Sequence, residues 1–279
     1  MEDKNIAFVG GGNMARSLIG GLISAGTPPQ KITVAEPQSV LREGLRDRFG
    51  VIAIAENIPA VERADVVILA VKPQVMREAL TPLAPTVFRD QPLLISIAAG
   101  ITVESIETWA GGNLALVRVM PNMPALVSAG ISALFANDRA TTTQRDLAES
   151  IMQAVGTTVW VKDESLMDTV TAISGSGPAY FFYLMEAIEQ AATKEGLDPD
   201  TARLLTLETA FGAARLALNS TETPGELRVR VTSPGGTTEA AIHVLDEASM
   251  NEVIKGAVSA AKKRSTELAT ERGEGLTDG

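Results

Sequence analysis

The residues best suited to chemistry in this chain of 279 residues are backbone donors rather than side-chain nucleophiles. Near the amino terminus an apolar run, Ile6-Ala7-Phe8-Val9, breaks into Gly10-Gly11-Gly12 and passes at once into helix-forming sequence at Asn13-Met14-Ala15. In such a strand, turn and helix the first glycine makes a turn that a Cβ obstructs, and the second lets the backbone approach a pyrophosphate. A small third residue, here Ala15, lets the helix pack on the strand. The free N–H groups at Asn13 and Met14 then face the phosphates, where the helix dipole favours negative charge. Donors of the same kind recur far down the chain. Ser174-Gly175-Ser176-Gly177-Pro178 and Ser233-Pro234-Gly235-Gly236-Thr237-Thr238 each lead directly into helix-forming sequence. Each therefore offers orphan N–H groups and hydroxyls that can receive a carboxylate. The pattern predicts a dinucleotide at the first turn and a small anionic substrate at the later loops.

Three further segments fall at or just past the carboxyl ends of predicted strands, where ligands bind in open α/β sheets. In Ala70-Val71-Lys72-Pro73, Lys72 can cap a cofactor phosphate or hydroxyl, and Pro73 halts the strand so that the backbone at Val71 faces a ligand. In Ile97-Ala98-Ala99-Gly100, the paired small side chains of Ala98 and Ala99 let a nicotinamide ring approach closely. Met120-Pro121-Asn122-Met123-Pro124 reads equally as a rigid turn or as a binding segment. Coenzyme identity belongs to the end of the second strand, Ala35-Glu36-Pro37-Gln38-Ser39, with Arg42 one turn further on. Glu36 points toward the free ribose of NADH, whereas Gln38, Ser39 and Arg42 can still hold the 2′-phosphate of NADPH.

Composition removes whole classes of function. The chain has no Cys, which excludes disulfides, thiolate nucleophiles and cysteine metal sites; no metal is expected. Its one His, His243, lies in Glu239-Ala240-Ala241-Ile242-His243-Val244-Leu245 and reads as structural. A formal net charge of −10 argues against nucleic acid, which needs clustered Lys and Arg. Glu2 and Asp3 stand where a basic leader would stand, and no uninterrupted apolar run reaches ~18 residues. The expected setting is the cytoplasm, with no membrane partner. With 45% hydrophobic residues the chain can bury a sizeable core, and its length fits two domains.

The elements that must position these residues alternate up to about residue 160. Ile6–Val9, Ile32–Ala35, Val66–Val71, Leu93–Ile97, Leu116–Val119, Ile131–Phe135 and Thr157–Val161 read as strands. Ala15–Ala25, Val40–Arg48, Val75–Leu80 and Gln144–Val155 read as helices between them. This predicts an α/β fold with a mostly parallel sheet in a first domain, 1–162. Beyond it strand signals vanish. Pro178–Lys194, Thr201–Leu218, Thr237–Asp246 and Asn251–Arg272 carry apolar residues at helical spacing, so the second domain, 163–272, is expected to be all helical, with 273–279 a flexible tail. The stretch 179–185 is hydrophobic nearly all round and is either a central core helix or a subunit interface.

The segments Gly10–Ala15, Ala70–Pro73, Ile97–Gly100, Met120–Asn122, Ser174–Tyr180 and Ser233–Thr238, in this order, resemble Δ1-pyrroline-5-carboxylate reductase over nearly the whole chain. The run from Pro224 through Leu227, Val231 and Gly236 to Thr238 and Leu245 is similar to that family's own signature. The resemblance implies a Rossmann-like domain followed by an all-helical dimerisation domain, a homodimer through the helices, and further assembly into rings of dimers, up to a decamer of dimers. It implies NADPH- or NADH-dependent reduction of the cyclic imine to L-proline, the last step of proline biosynthesis. By the same resemblance Thr238 hydrogen-bonds the ring nitrogen, and Ser233, Gly236 and Thr237 hold the carboxylate. Ser176, Glu164 and Asn122 belong to the substrate side, and the cofactor contacts are Gly10, Gly11, Gly12, Asn13, Met14, Glu36, Asn57, Val71, Lys72, Pro73, Ala98 and Ala99. The chain departs from the family pattern at Glu36, where some members offer Ser, Thr or Arg, and near Thr221-Glu222, where some members place an acid. A reductase of 3-hydroxy acids would instead use a Lys as acid, and Pro178–Lys194 offers Lys only at its end. A dinucleotide sensor would not need Ser233–Thr238.

Overall fold

Short β-branched and aliphatic runs alternate with amphipathic segments, and burying both faces of such strands requires helices on both sides of a sheet. The computed structural model describes residues 3–273 and realises this arrangement. The strands β1 (Ile6–Val9), β2 (Ile32–Ala35), β3 (Ile52–Ile54), β4 (Val66–Leu69), β5 (Leu93–Ser96), β6 (Leu116–Met120), β7 (Gly130–Ala136) and β8 (Gly156–Trp160) form one sheet in the order 3-2-1-4-5-6-7-8. All neighbours run parallel except β6 and β7. Alternate residues of β1 enter different cores: Ile6 and Phe8 on one face, Ala7 and Val9 on the other.

The register decides what meets at the sheet's upper edge. Val9 stands opposite Ala35 of β2 and Leu69 of β4, so Gly10, Glu36 and Ala70 leave the sheet side by side. Because the order of strands reverses at β1 and β4, this is where an open α/β sheet leaves a crevice.

Several elements lie outside the sequence reading. β3 is a three-residue edge strand that periodicity misses. Thr102 caps the helix Val103–Ala110 by accepting from the N–H of Ser105. The helix Pro224–Arg230 opens on a capping box of Thr223 and Glu226, a spacing that was legible in the sequence. Two strands stop short of expectation, at Leu69 and Ser96, because the following residues turn out of the sheet.

The described chain divides into two compact units. The first reaches to Ser176 and takes in the chain from Ala261 onward; the second is Gly177–Ala260. The sequence places the change at residue 162, where strand signals stop. Hydrogen bonds carry the first unit further: Glu164 accepts from Val103 N–H and Arg118, and Asn122 donates to the carbonyl of Ser174. Ser265 and Thr266 return to the same unit by donating from their hydroxyls to the two carboxylate oxygens of Asp168, at 2.7 and 2.8 Å. The tail expected at 273–279 lies, from residue 274 on, outside the described residues.

The second unit contains the helices Gly177–Lys194, Pro199–Leu218, Pro224–Arg230 and Thr237–Glu247, and the first part of Met250–Gly273. In the single chain Phe181 is 64% and Tyr183 76% exposed, with Phe182, Leu204, Leu205 and Phe211 also exposed. That answers the question left by 179–185: these side chains are not the core of this chain, and an apolar surface of this extent marks an interface.

Candidate functional site

Gly10 sits at the tip of β1 with φ +101°, a conformation that side chains rarely adopt, and a Cβ there would lie 2.8 Å from the carbonyl oxygen of Ala70. Gly11 has a different constraint, because its Cβ would meet Leu45 at 2.7 Å. Gly12 meets nothing within 4 Å, so the space beyond it is open. It is also the N-cap of the helix Asn13–Ser24, which has no side-chain cap and no acid in its first turn. The first N–H groups of that helix are therefore available to an anion.

These glycines form one wall of a cleft of about 580 Å³ at the carboxyl ends of β1, β2 and β4. Glu36, Asn57, Val71 and Lys72 line the same cleft. So does Gln38, read from the sequence as able to hold a 2′-phosphate, and so do Pro37, Leu41, Ala55, Val75 and Glu78, which the sequence did not point to. Ala55 follows β3, and missing that strand hid it. Asn13, Met14, Pro73, Ala98 and Ala99 lie outside this lining.

Glu36 is only 6% exposed. One carboxylate oxygen accepts the N–H of Gly11 and the other the N–H of Gln38, each at 3.0 Å. Arg42 closes the same turn, donating from Nη1 to the carbonyls of Glu36 and Pro37 at 2.8 and 2.7 Å. Glu36 thus fastens the Gly turn to the turn after β2 while lining the cleft itself. Lys72 is exposed and caps the short helical turn Pro73–Val75. An uncapped helix amino terminus, an open face at Gly12 and one lysine suit a pyrophosphate; the buried acid beside them suits a ribose hydroxyl. The residues present fit a nicotinamide dinucleotide.

The substrate-side residues fall in several places. Glu164 pairs with Arg118 at 2.6 Å, and the same oxygen, Oε1, accepts the N–H of Val103 at 2.8 Å. Asn122 accepts the N–H of Ile131 at 3.0 Å and donates to the carbonyl of Ser174 at 3.2 Å. Ser176 follows a single π-helical turn, Thr171–Gly175. In the second unit Gly235 has φ +69° and Gly236 is the N-cap of Thr237–Glu247, again without a side-chain cap. Within the loop the N–H of Gly235 goes to the Glu239 carboxylate at 2.7 Å and that of Gly236 to the carbonyl of Ser233 at 3.0 Å, which leaves the helix-start N–H groups of Thr237 and Thr238, with the loop hydroxyls, to receive a carboxylate. Glu222 pairs with Arg230.

A parallel sheet with a Gly-turn cleft at its switch point, followed by helices with an exposed apolar surface, defines a dinucleotide-dependent oxidoreductase that works as an oligomer. Residues 5–100 match the family described as NADP oxidoreductase, coenzyme F420-dependent, and residues 164–268 match pyrroline-5-carboxylate reductase dimerisation. The pyrroline-5-carboxylate reductase of Pseudomonas aeruginosa is 47% identical over 274 residues, covering 98% of this chain and 100% of that protein. That of Haemophilus influenzae is 44% identical, covering 97% and 99%. Among solved structures, the pyrroline-5-carboxylate reductase of Coxiella burnetii superposes with a TM-score of 0.91 at 44% identity, covering 95% of this chain and 98% of that one. The Plasmodium falciparum pyrroline carboxylate reductase, solved with NADP bound, gives 0.86 at 27% identity, covering 96% and 99%. The chain belongs to the pyrroline-5-carboxylate reductase family.

Proposed function

We propose that this chain reduces the C=N bond of Δ1-pyrroline-5-carboxylate to give L-proline, the last step of proline biosynthesis. The observation that carries this reading is the match to reductases of that name along essentially the full length of both chains. When bound, NADPH or NADH supplies the hydride. Gly12, Asn13 and Met14 hold the pyrophosphate through backbone N–H groups at the helix start, while Gly10 and Gly11, whose own N–H groups go to the Ala35 carbonyl and the Glu36 carboxylate, let the backbone approach it, and Lys72 adds a cation. Glu36 and Asn57 serve the adenosine side, while Val71, Pro73, Ala98 and Ala99 shape the backbone against which the coenzyme lies.

Ser233, Gly236 and Thr237 hold the substrate carboxylate, and Thr238 hydrogen-bonds the ring nitrogen. Ser176, Asn122 and Glu164 complete the substrate side, by contact or through the neighbours they fix. Hydride adds to the imine carbon while the C=N π pair moves to nitrogen, so a protonated imine becomes the neutral ring amine without a protein nucleophile or metal. The substrate's own proton does the work of an acid, which leaves the protein to orient the two reactants and stabilise the changing charge at nitrogen.

The chain acts as a homodimer through its helical region, and light scattering distinguishes that dimer from a larger ring of dimers. A cytoplasmic setting is part of the same proposal. The deciding assay is loss of reduced-nicotinamide absorbance on adding pyrroline-5-carboxylate, in wild type and Thr238→Ala. Coenzyme oxidation that requires the imine and slows in the variant is expected. Coenzyme that binds but is never oxidised by the imine refutes the reductase, and full turnover by Thr238→Ala at saturating substrate refutes the role of Thr238.

A further inference from the structure

Between the first unit's sheet and Ser176 lies one π-helical turn, Thr171–Gly175, in which the N–H of Ser176 donates to the carbonyl of Thr171 at 2.8 Å. Such a turn is rare and frequently falls at a functional site. Here two of its hydroxyls are spent locally: Thr171 donates to the carbonyl of Met167 at 2.8 Å and Ser174 to that of Val170 at 3.0 Å. A further tie comes from outside. The amide of Asn122, just past β6, takes the N–H of Ile131 in β7 on its oxygen and gives a hydrogen to the carbonyl of Ser174 from its nitrogen. Both ends of the side chain face the complementary group, so the reverse orientation would set like against like at both ends. Beside it the methyl of Met120 lies where a Cβ on Gly175 would be, 2.4 Å away, so the turn rests directly on the end of β6. Among the described residues the hydroxyl of Ser176 makes no hydrogen bond, although the backbone on its amino side is fixed at several points.

We propose that Asn122 is a positioning residue: it clamps the π-turn to the ends of β6 and β7 and thereby holds the free Ser176 hydroxyl in one place for the substrate. This rests on the reading of Ser176 as a substrate-side residue of a pyrroline-5-carboxylate reductase. Asn122 works through the turn, because each end of its amide is already committed to a backbone partner.

Asn122→Asp isolates the clamp. The aspartate keeps the acceptor for Ile131 N–H but has no hydrogen for Ser174, against whose carbonyl it sets a negative charge. The KM for pyrroline-5-carboxylate should rise about tenfold, as for one lost hydrogen bond, with the KM for NADPH unmoved. In a Ser176→Ala background the same substitution should add little, since two residues acting through one contact are not additive. Amide hydrogen exchange over 171–176 should be faster in Asn122→Asp than in wild type, and this holds whatever the substrate is. Additive effects on KM, or unchanged exchange with an unchanged KM, overturn the proposal. Wild-type protein that does not oxidise NADPH with this imine refutes the reductase reading instead, and the exchange measurement then decides the clamp alone.

Discussion

Replacing Gly12 and Gly10 by alanine separates binding from folding within three residues. Gly12 has φ −69°, which alanine adopts without strain, and its new Cβ would meet nothing within 4 Å. Folding should be untouched or slightly favoured, by about 0.4–1 kcal/mol from reduced freedom of the unfolded chain. The added methyl instead fills the open face where a pyrophosphate would reach the helix N–H groups. Losing one charge-assisted hydrogen bond of ~1.5–3 kcal/mol weakens NADPH roughly ten- to hundredfold. Gly10→Ala differs in kind. At φ +101° the backbone alone costs ~1–3 kcal/mol. A Cβ 2.8 Å from the Ala70 oxygen and 3.0 Å from Val71 Cγ1 adds an overpacking cost of ~1–3 kcal/mol. A loss of that size lowers Tm by roughly 5–20 °C for a unit this large. Thermal melts and fluorescence titration with NADPH on both variants provide the check. If Gly12→Ala binds NADPH as wild type does, the coenzyme does not lie on that face and the assignment of the Gly turn is wrong.

Three other outcomes follow from contacts already described. Glu36→Ser should lower kcat/KM with NADH more than with NADPH, because it removes a ribose acceptor and a charge that opposes the 2′-phosphate; an unchanged ratio would make Glu36 only the fastener of the Gly11 and Gln38 turns. Arg118 is a buried arginine, 5% exposed, whose partner Glu164 is a quarter exposed, so Arg118→Met should cost about 2–4 kcal/mol in urea unfolding, discounted for that solvent access. A cost below about 0.5 kcal/mol would mean that the pair contributes little to the native state. Asp90 is held down to about 2, first by the hydrogen bond from Arg89 and then by the N–H of Arg63. Its stabilising contribution is therefore fully present above the ordinary value of 3.8 and disappears as the pH falls through about 2, and a carboxyl NMR titration with a midpoint near 3.8 would contradict the contact.

How much of this protein could be read in advance depends on whether the signal was local. Gly10-Gly11-Gly12 after an apolar run identified the cleft because a close backbone approach can be made only by residues without a Cβ. At Ser233–Thr238 the helix start was legible in the same way, and the structure begins a helix at Thr237 with no side-chain cap. The sheet was legible where strands are continuous apolar runs; β3, three residues at an edge, carries too little pattern, and with it went Ala55 in the cleft wall. The π-turn before Ser176 is invisible to periodicity, since it depends on Met120 and Asn122 some fifty residues earlier.

By itself the sequence determined which backbone positions could face a phosphate or carboxylate, since that is set by local turn and helix-end chemistry. It also determined that no thiol or metal-binding cysteine takes part, because the chain has no Cys. Only the tertiary structure decided what the side chains do. The register of β1 with β2 and β4 brings Gly11 to Glu36 and Gly10 to Ala70. Folding likewise engages Glu164 with Arg118 and Asn122 with Ser174 before any substrate arrives. These partners lie far apart in the chain, and a hydrogen bond between them exists only once strand order and register have been chosen.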